Sequence, residues 1–361
     1  MNLARSPHII EISESGQTGS KIELYLGADI GTPNPTYTLS KLIPASNKIE
    51  TYYNISPYIR EYFTFTNWQN ATGLAYDIDT SSDYIVDYEL KKFKSVSGVY
   101  SQVGSTITGT FSDGFGYYED GYNPSAPSVL LDEGTYLYNY DAGIPTSQNN
   151  GTWGSFDVQM SIGDVIRYTD LVTGSSFDYT ATTEGVKSFA RVYLTYVANG
   201  NKVEWLPGGS VVRWTAYFKP QCEPKYQPVV VDFVNRYGSW SRIFFQKSKK
   251  RSIQVKANEY KFNPKTLPYV SEDIRQKQEF NINGRETIKL NTGWVNDGYA
   301  EYLQQMMLSE KVLICDYENN PDYSPVKVKT KSLEKQTGLN NGMINYTLDF
   351  EFAYDMINNV L

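Results

Sequence analysis

Histidine occurs once in the 361 residues, at His8, and cysteine twice, at Cys222 and Cys315. That scarcity excludes zinc chemistry, which needs clustered His and Cys, and a disulfide scaffold. Any Ser-His-Asp triad would depend on His8 alone. No run of about 18 apolar residues is present to span a bilayer. Met1 to Ser20 lacks the apolar core of a secretory signal, because Glu11 and Glu14 break up Ile9, Ile10 and Ile12. The expectation is a chain made and kept in a cytoplasm, or assembled there into something larger, with no membrane partner and no cofactor. Positive charge is short too. Lys and Arg number 33 against 40 Asp and Glu, a net of −7, which argues against a general nucleic-acid binder. No Gly-rich phosphate loop is present. With 40% hydrophobic residues and only 20% charged, wholesale disorder is excluded.

What the chain has in excess is aromatic surface. It carries 31 Tyr, 16 Phe and 6 Trp, a composition that favours strands and large contact areas. Strand signals run throughout. Ile22, Leu24 and Leu26 alternate with polar neighbours, Tyr37, Leu39 and Lys41 follow a Pro/Gly/Asn loop, and Tyr84 to Tyr88 and Ser105 to Phe111 read the same way. Ser56-Pro57 suggests a capped short helix. Asn150-Gly151, Thr173-Gly174 and Asn199-Gly200 read as turns, the last closing a hairpin between Arg191–Tyr196 and Val203–Trp205. Residues 121–150, with Pro124, Pro127 and Pro145, read as a long surface excursion.

Pro220, Pro224 and Pro228 mark a boundary, and charge changes across it. Residues 1–220 hold 14 basic and 23 acidic side chains, net −9; residues 221–361 hold 19 and 17, net +2. The expected fold is mainly β: a β-sandwich-like N-terminal region over 1–220 with an inserted excursion at 121–150, and a C-terminal β-domain over 221–361 with one packed helix at 296–309. In that second part Val229–Val234 and Ile243–Phe245 flank a turn at 235–238. Asn283-Gly284 predicts a hairpin between Phe280/Ile282 and Ile288/Leu290. Tyr299, Tyr302, Leu303, Met306 and Met307 fall on one helical face, with Asn296 or Asp297 as cap. Val312–Cys315 reads as a buried strand with a structural thiol. Ile344 to Tyr354 alternates so regularly that its register is set by hydrophobicity, with Lys327, Lys329 and Lys331 facing its carboxylates if 338–342 turns the chain back.

Candidate chemistry is sparse. Asp113 to Gly121 is the most site-like loop, acidic and aromatic through Phe115, Tyr117 and Tyr118; its plain reading is two glycine turns around a strand end. Asp77, Asp79 and Asp83 lack the Gly and Glu of a calcium loop, and His8 reads as a packing or surface residue. Between Lys225 and Lys256 lie eight cations and one acid, Asp232. Arg242, Lys247, Lys249, Lys250 and Arg251, with Phe244 interleaved, read first as a seam against an acidic neighbour or a guarded strand edge, and last as a nucleic-acid contact. Leu130, Leu131, Tyr136 and Tyr138 are the excursion's candidates to reach a neighbour.

Several strings resemble structural proteins of tailed bacteriophages that infect Bacteroidetes, including the crAss-like phages. They are Tyr37-Thr38-Leu39-Ser40-Lys41-Leu42-Ile43-Pro44, Tyr53-Asn54-Ile55-Ser56-Pro57-Tyr58-Ile59-Arg60, and Phe115-Gly116-Tyr117-Tyr118-Glu119-Asp120-Gly121. After the boundary they are Asp232-Phe233-Val234-Asn235-Arg236-Tyr237-Gly238, Leu290-Asn291-Thr292-Gly293-Trp294 and Asn345-Tyr346-Thr347-Leu348-Asp349-Phe350-Glu351-Phe352. The resemblance implies a virion tail or neck component: a ring, hub, tube or adaptor subunit, homo-oligomeric, next to other tail, neck or portal-proximal proteins, and without catalytic residues. The C-terminal strand–helix–strand order looks like the tail-tube and hub domain, by fold analogy. A receptor- or glycan-binding tail protein is the alternative, and a polysaccharide-degrading enzyme the third.

Overall fold

The computed structural model describes residues 1–44, 49–64, 78–79, 84–139, 154–221, 226, 228–261, 277–316, 323–335 and 344–358. The protein is mainly β and divides into two compact units, Met1–Cys222 with Phe233–Arg242, and Glu223–Asp232 with Ile243–Leu361. The sequence boundary at 220/221 had assigned 233–242 to the second part.

The strands preceding the division are β1 (Asn2–Leu3), β2 (Ile9–Ser13), β3 (Gly19–Leu26), β4 (Tyr37–Leu42), β5 (Glu50–Asn54), β6 (Ile78–Asp79), β7 (Ile85–Val96) and β8 (Val99–Ser112). They continue with β9 (Gly134–Asn139), β10 (Ser155–Met160), β11 (Val165–Asp170), β12 (Ser176–Thr180), β13 (Gly185–Ala190), β14 (Asn201–Leu206) and β15 (Trp214–Gln221). Four sheets result, ordered β1-β8-β7-β3-β4, β10-β13-β6, β12-β11-β14-β15-β9 and β2-β5. The alternation in β3 buries Ile22, Leu24 and Leu26 with Val86, Leu90 and Phe111. A second core stacks Phe156 on Phe189, Trp214 and Phe218. The short helix α1 (Ser56–Arg60) forms as expected, but Ser56 does not cap it. Its hydroxyl instead donates to the Ser6 carbonyl at 2.6 Å and accepts the His8 amide at 3.0 Å.

The remaining elements are β16 (Val229–Val234), β17 (Trp240–Phe245), β18 (Lys250–Lys261), β19 (Lys277–Asn291), the helix α2 (Tyr299–Leu308), β20 (Val312–Asp316), β21 (Tyr323–Val328) and β22 (Thr347–Phe352). Their sheet runs β17-β16-β20-β21-β22-β19-β18. The alternation of β22 is realised: Leu348, Phe350 and Phe352 are buried, and Lys327 faces Glu351 across the pair. Glu351 is shared, 3.7 Å from Lys329 and 3.4 Å from Arg285. Cys315 is fully buried, as the apolar strand pattern around it predicts.

Three expectations fail locally. Arg191–Tyr196 is not a strand; its end forms a 3-10 turn at Leu194–Tyr196. The Asn201 side chain takes the Tyr193 amide at 2.9 Å and donates to the Arg191 carbonyl at 3.0 Å, replacing a ladder. Asn283-Gly284 is not a turn but lies inside the 15-residue strand β19, opposite Lys256 and Val255 of β18. A bulge there carries Asn281 at φ +50°, and Asn283 Oδ1 accepts the Ile357 amide at 3.0 Å. The helix begins at Tyr299 without a side-chain cap, and Met307 is only half-buried while Gln305 is buried. The turns at Asn150-Gly151 and 338–342 lie outside the described residues.

Candidate assembly surfaces

The loop Asp113–Gly121 is a structural clamp. A Cβ on Gly114 would come within 2.5 Å of the Arg236 carbonyl, so the backbones touch as only glycine permits. The Phe115 amide donates to that same carbonyl at 2.7 Å and the Arg5 amide to the Gly114 carbonyl at 2.8 Å. Arg5 lies over Phe115 at 4.8 Å, and Arg236 lies over Tyr117 at 5.1 Å and Tyr237 at 4.8 Å. Phe115 and Tyr117 are therefore half-buried by their own unit, whereas Tyr118 is fully exposed.

Leu130, Leu131, Tyr136 and Tyr138 are not surface residues. All four are buried, because Gly134–Asn139 is a strand lying parallel to β15. Tyr136 stacks on Phe218 at 5.5 Å, the Tyr138 hydroxyl donates to the Val197 carbonyl, and Leu130 packs with Ile85, Val186 and Tyr237. Residues 140–150 lie outside the described residues. Arg242 and Phe244 are also buried, in β17, so neither is available to a partner. Lys247 and Lys249 are half-buried, while Lys250 and Arg251 are exposed where β18 begins.

Buried polar groups in the first unit are tied into the fold. Asp157 Oδ2 accepts the Ser239 hydroxyl at 2.5 Å and the Tyr84 hydroxyl at 3.0 Å, and burial pushes its carboxyl above the usual range. Arg191 donates to the Ser155 and Arg242 carbonyls at 2.8 and 3.2 Å. His8 packs edge-on against Phe111 at 4.9 Å, and desolvation lowers its pKa. Among the described residues no three His, Cys, Asp or Glu side chains group as metal ligands, and Asp77 and Asp83 lie outside them. No described helix is long and apolar enough to cross a membrane.

The surface that sequence reasoning missed is the β18–β19 ribbon. Every residue of β18 is exposed, as are Lys277–Ile282 of β19. Ile253, Val255, Tyr260, Phe280 and Ile282 each leave 43–61% of their surface in solvent. Ladder alternation puts Ile253 and Val255 on one face; Tyr260 and Phe280 meet edge-on at 5.6 Å. Charges stitch the ribbon, with Arg251 3.0 Å from Glu286 and Lys277 2.8 Å from Glu259. Strand β18 ends its sheet, so among the described residues no strand lies beside its outer N–H and C=O groups. The only available signal was Lys250–Lys256, in which Ile253 and Val255 alternate with polar residues. The first unit has a comparable edge: β8 is paired along β7, but β1 covers only Phe111 and Ser112 on its other side. Val99 there is 72% exposed.

No protein-family model and no curated protein matches the chain. Among solved structures it is similar to a chain from "Cryo-EM structure of the anti-feeding prophage (AFP) baseplate, 6-fold symmetrised". The identity is 13% and the TM-score 0.22, over 37% of this chain and 95% of that one. At that TM-score the likeness defines no shared fold.

Proposed function

We propose that the chain is a structural subunit of a bacteriophage virion, assembled in the host cytoplasm into a ring or hub of the tail or neck, and that it catalyses no reaction. The single observation that carries the reading is the β18–β19 ribbon. A two-stranded ribbon with solvent on both faces is at best marginally stable. An edge strand this long with apolar side chains invites a further strand. The occupant that fits is a second copy of the chain: the head of β18 is basic, with Lys249, Lys250 and Arg251, and residues 1–220 carry the net −9 that would face it. Contacts between unlike surfaces close into rings when the rotation permits. The strings shared with phage structural proteins support the same reading.

Sedimentation velocity of the purified chain tests it. The native protein is expected to form a discrete closed oligomer. The double variant Ile253→Asp/Val255→Asp is expected to sediment as a folded monomer, and charge reversal at Lys249, Lys250 and Arg251 together to weaken assembly without unfolding the chain. A native protein that stays monomeric at high concentration, or variants that assemble as well as it does, would refute the ribbon's role.

A further inference from the structure

Where β19 leaves the sheet, the chain presents an aromatic side chain in an unusual way. Trp294 is 55% exposed, although Thr292 and Val295 beside it are 1% and 3% exposed. Gly293, at φ +74°, turns the backbone so that this happens. Backbone bonds hold the segment on both sides. The Thr292 amide donates to the Tyr346 carbonyl at 2.9 Å, and Val295 and Ile344 exchange bonds of 2.8 and 2.7 Å. The main chain that carries this large exposed apolar ring is thus fixed, so little backbone freedom is lost when the ring binds something.

The indole forms one wall of an open cleft of about 450 Å³, within the size range of small-ligand sites. Lys247, Lys250 and Lys289 line it; no acidic residue is among the described lining residues, and Asp349, opposite Lys289 on β22, comes within 3.5 Å of that lysine and partly offsets its charge. Its floor holds amides and hydroxyls. Asn291 donates to the Thr347 hydroxyl at 2.7 Å and accepts the Gly293 amide at 2.8 Å, which fixes the Asn291 side chain. Because Thr347 Oγ1 accepts that bond, its own proton is free to be donated. The Asn345 side-chain Oδ1 accepts from Asn291 Nδ2 at 3.5 Å.

We infer that this cleft binds an acidic sugar: a uronic-acid residue of a polysaccharide, with its ring face on Trp294, its hydroxyls on Asn291, Asn345 and Thr347, and its carboxylate toward the lysines. Flat apolar area with amide and hydroxyl partners suits a ring that is apolar on its faces and polar around its rim. The lysines select the charged sugar over neutral ones. Nucleic acid fits less well, since single-strand binders present several aromatic platforms along a basic groove. Here one ring stands in a cleft with no arginine lining it.

Isothermal titration of the full chain with trigalacturonate, maltotriose and a twelve-residue oligothymidylate tests the inference. Saturable binding of trigalacturonate is expected, at least tenfold tighter than maltotriose. Trp294→Ala should weaken it at least tenfold and Thr347→Val severalfold, with both variants unfolding at the native temperature. No saturable binding of trigalacturonate by the native chain would overturn the inference. So would binding unchanged in Trp294→Ala, or tighter and steeply salt-dependent binding of the oligothymidylate.

Discussion

At the scale of single residues, His8 shows how placement sets chemistry. Its ring is buried against Phe111, and its Nδ1 meets no hydrogen-bond partner among the described residues. Desolvation lowers its pKa, so the folded protein holds it neutral. The unfolded chain takes up a proton near the ordinary histidine value of about 6.5. The stability tied to His8 is therefore complete above that pH and is lost as pH falls through it toward the lowered folded value. Urea midpoints at pH 7.5 and 5.0 should show a smaller loss in His8→Phe than in the native chain; an equal loss would contradict the account. Asp157 has the opposite sign. Burial raises its pKa, so its folded form favours the proton and its contribution declines as pH rises from the ordinary carboxyl range through the raised value. Gly114 tests the clamp at the Asp113–Gly121 loop. Gly114→Ala places a methyl group 2.5 Å from the Arg236 carbonyl and should cost about 1–3 kcal/mol in denaturant unfolding. A neutral substitution would mean that the loop is not clamped.

At the scale of elements, α2 gives the firmest expectation. Leu303 and Met306 are fully buried, and Leu303→Ala should cost about 2–5 kcal/mol; a cost below about 1 kcal/mol would mean the site collapses or the helix is loosely packed. Elements with a one-dimensional pattern were legible in the sequence: β3 and β22 by alternation, α2 by its apolar face, α1 by its proline. Elements whose pattern depends on a distant partner were not. Asn-Gly at 283–284 has the composition of a tight turn, yet β18 pairs through it and the bulge beside it absorbs the irregularity. The proline-rich lead into Gly134–Asn139 looks like surface, but β15 supplies a parallel partner some eighty residues later in the chain, at Ala216–Gln221. Of the basic run at 247–251, Lys250 and Arg251 lie exposed at the start of β18, and Lys247 and Lys249 are half-buried. Arg242 and Phe244, a few residues earlier, are buried, which the sequence did not reveal because strand burial on both faces leaves no periodic trace.

At the scale of the whole molecule, the chain carries few groups that do chemistry and much surface that makes contacts. Its one histidine packs against an aromatic ring and its described cysteine is buried. Its aromatics fill cores in both units and also stand exposed on the ribbon, and its charge is divided, net −9 before residue 221 and net +2 after it. On the proposed reading, its exposed edges are completed by joining other copies of the chain. The central claim is that β18 is covered in the assembled state. Amide hydrogen exchange across residues 250–261, compared between the assembled particle and the dissociated chain, measures this directly. The account predicts strong slowing on assembly at the amides of β18 that point away from β19, beside which no described strand lies. An oligomer that forms while exchange along 250–261 stays as fast as in the free chain would contradict it.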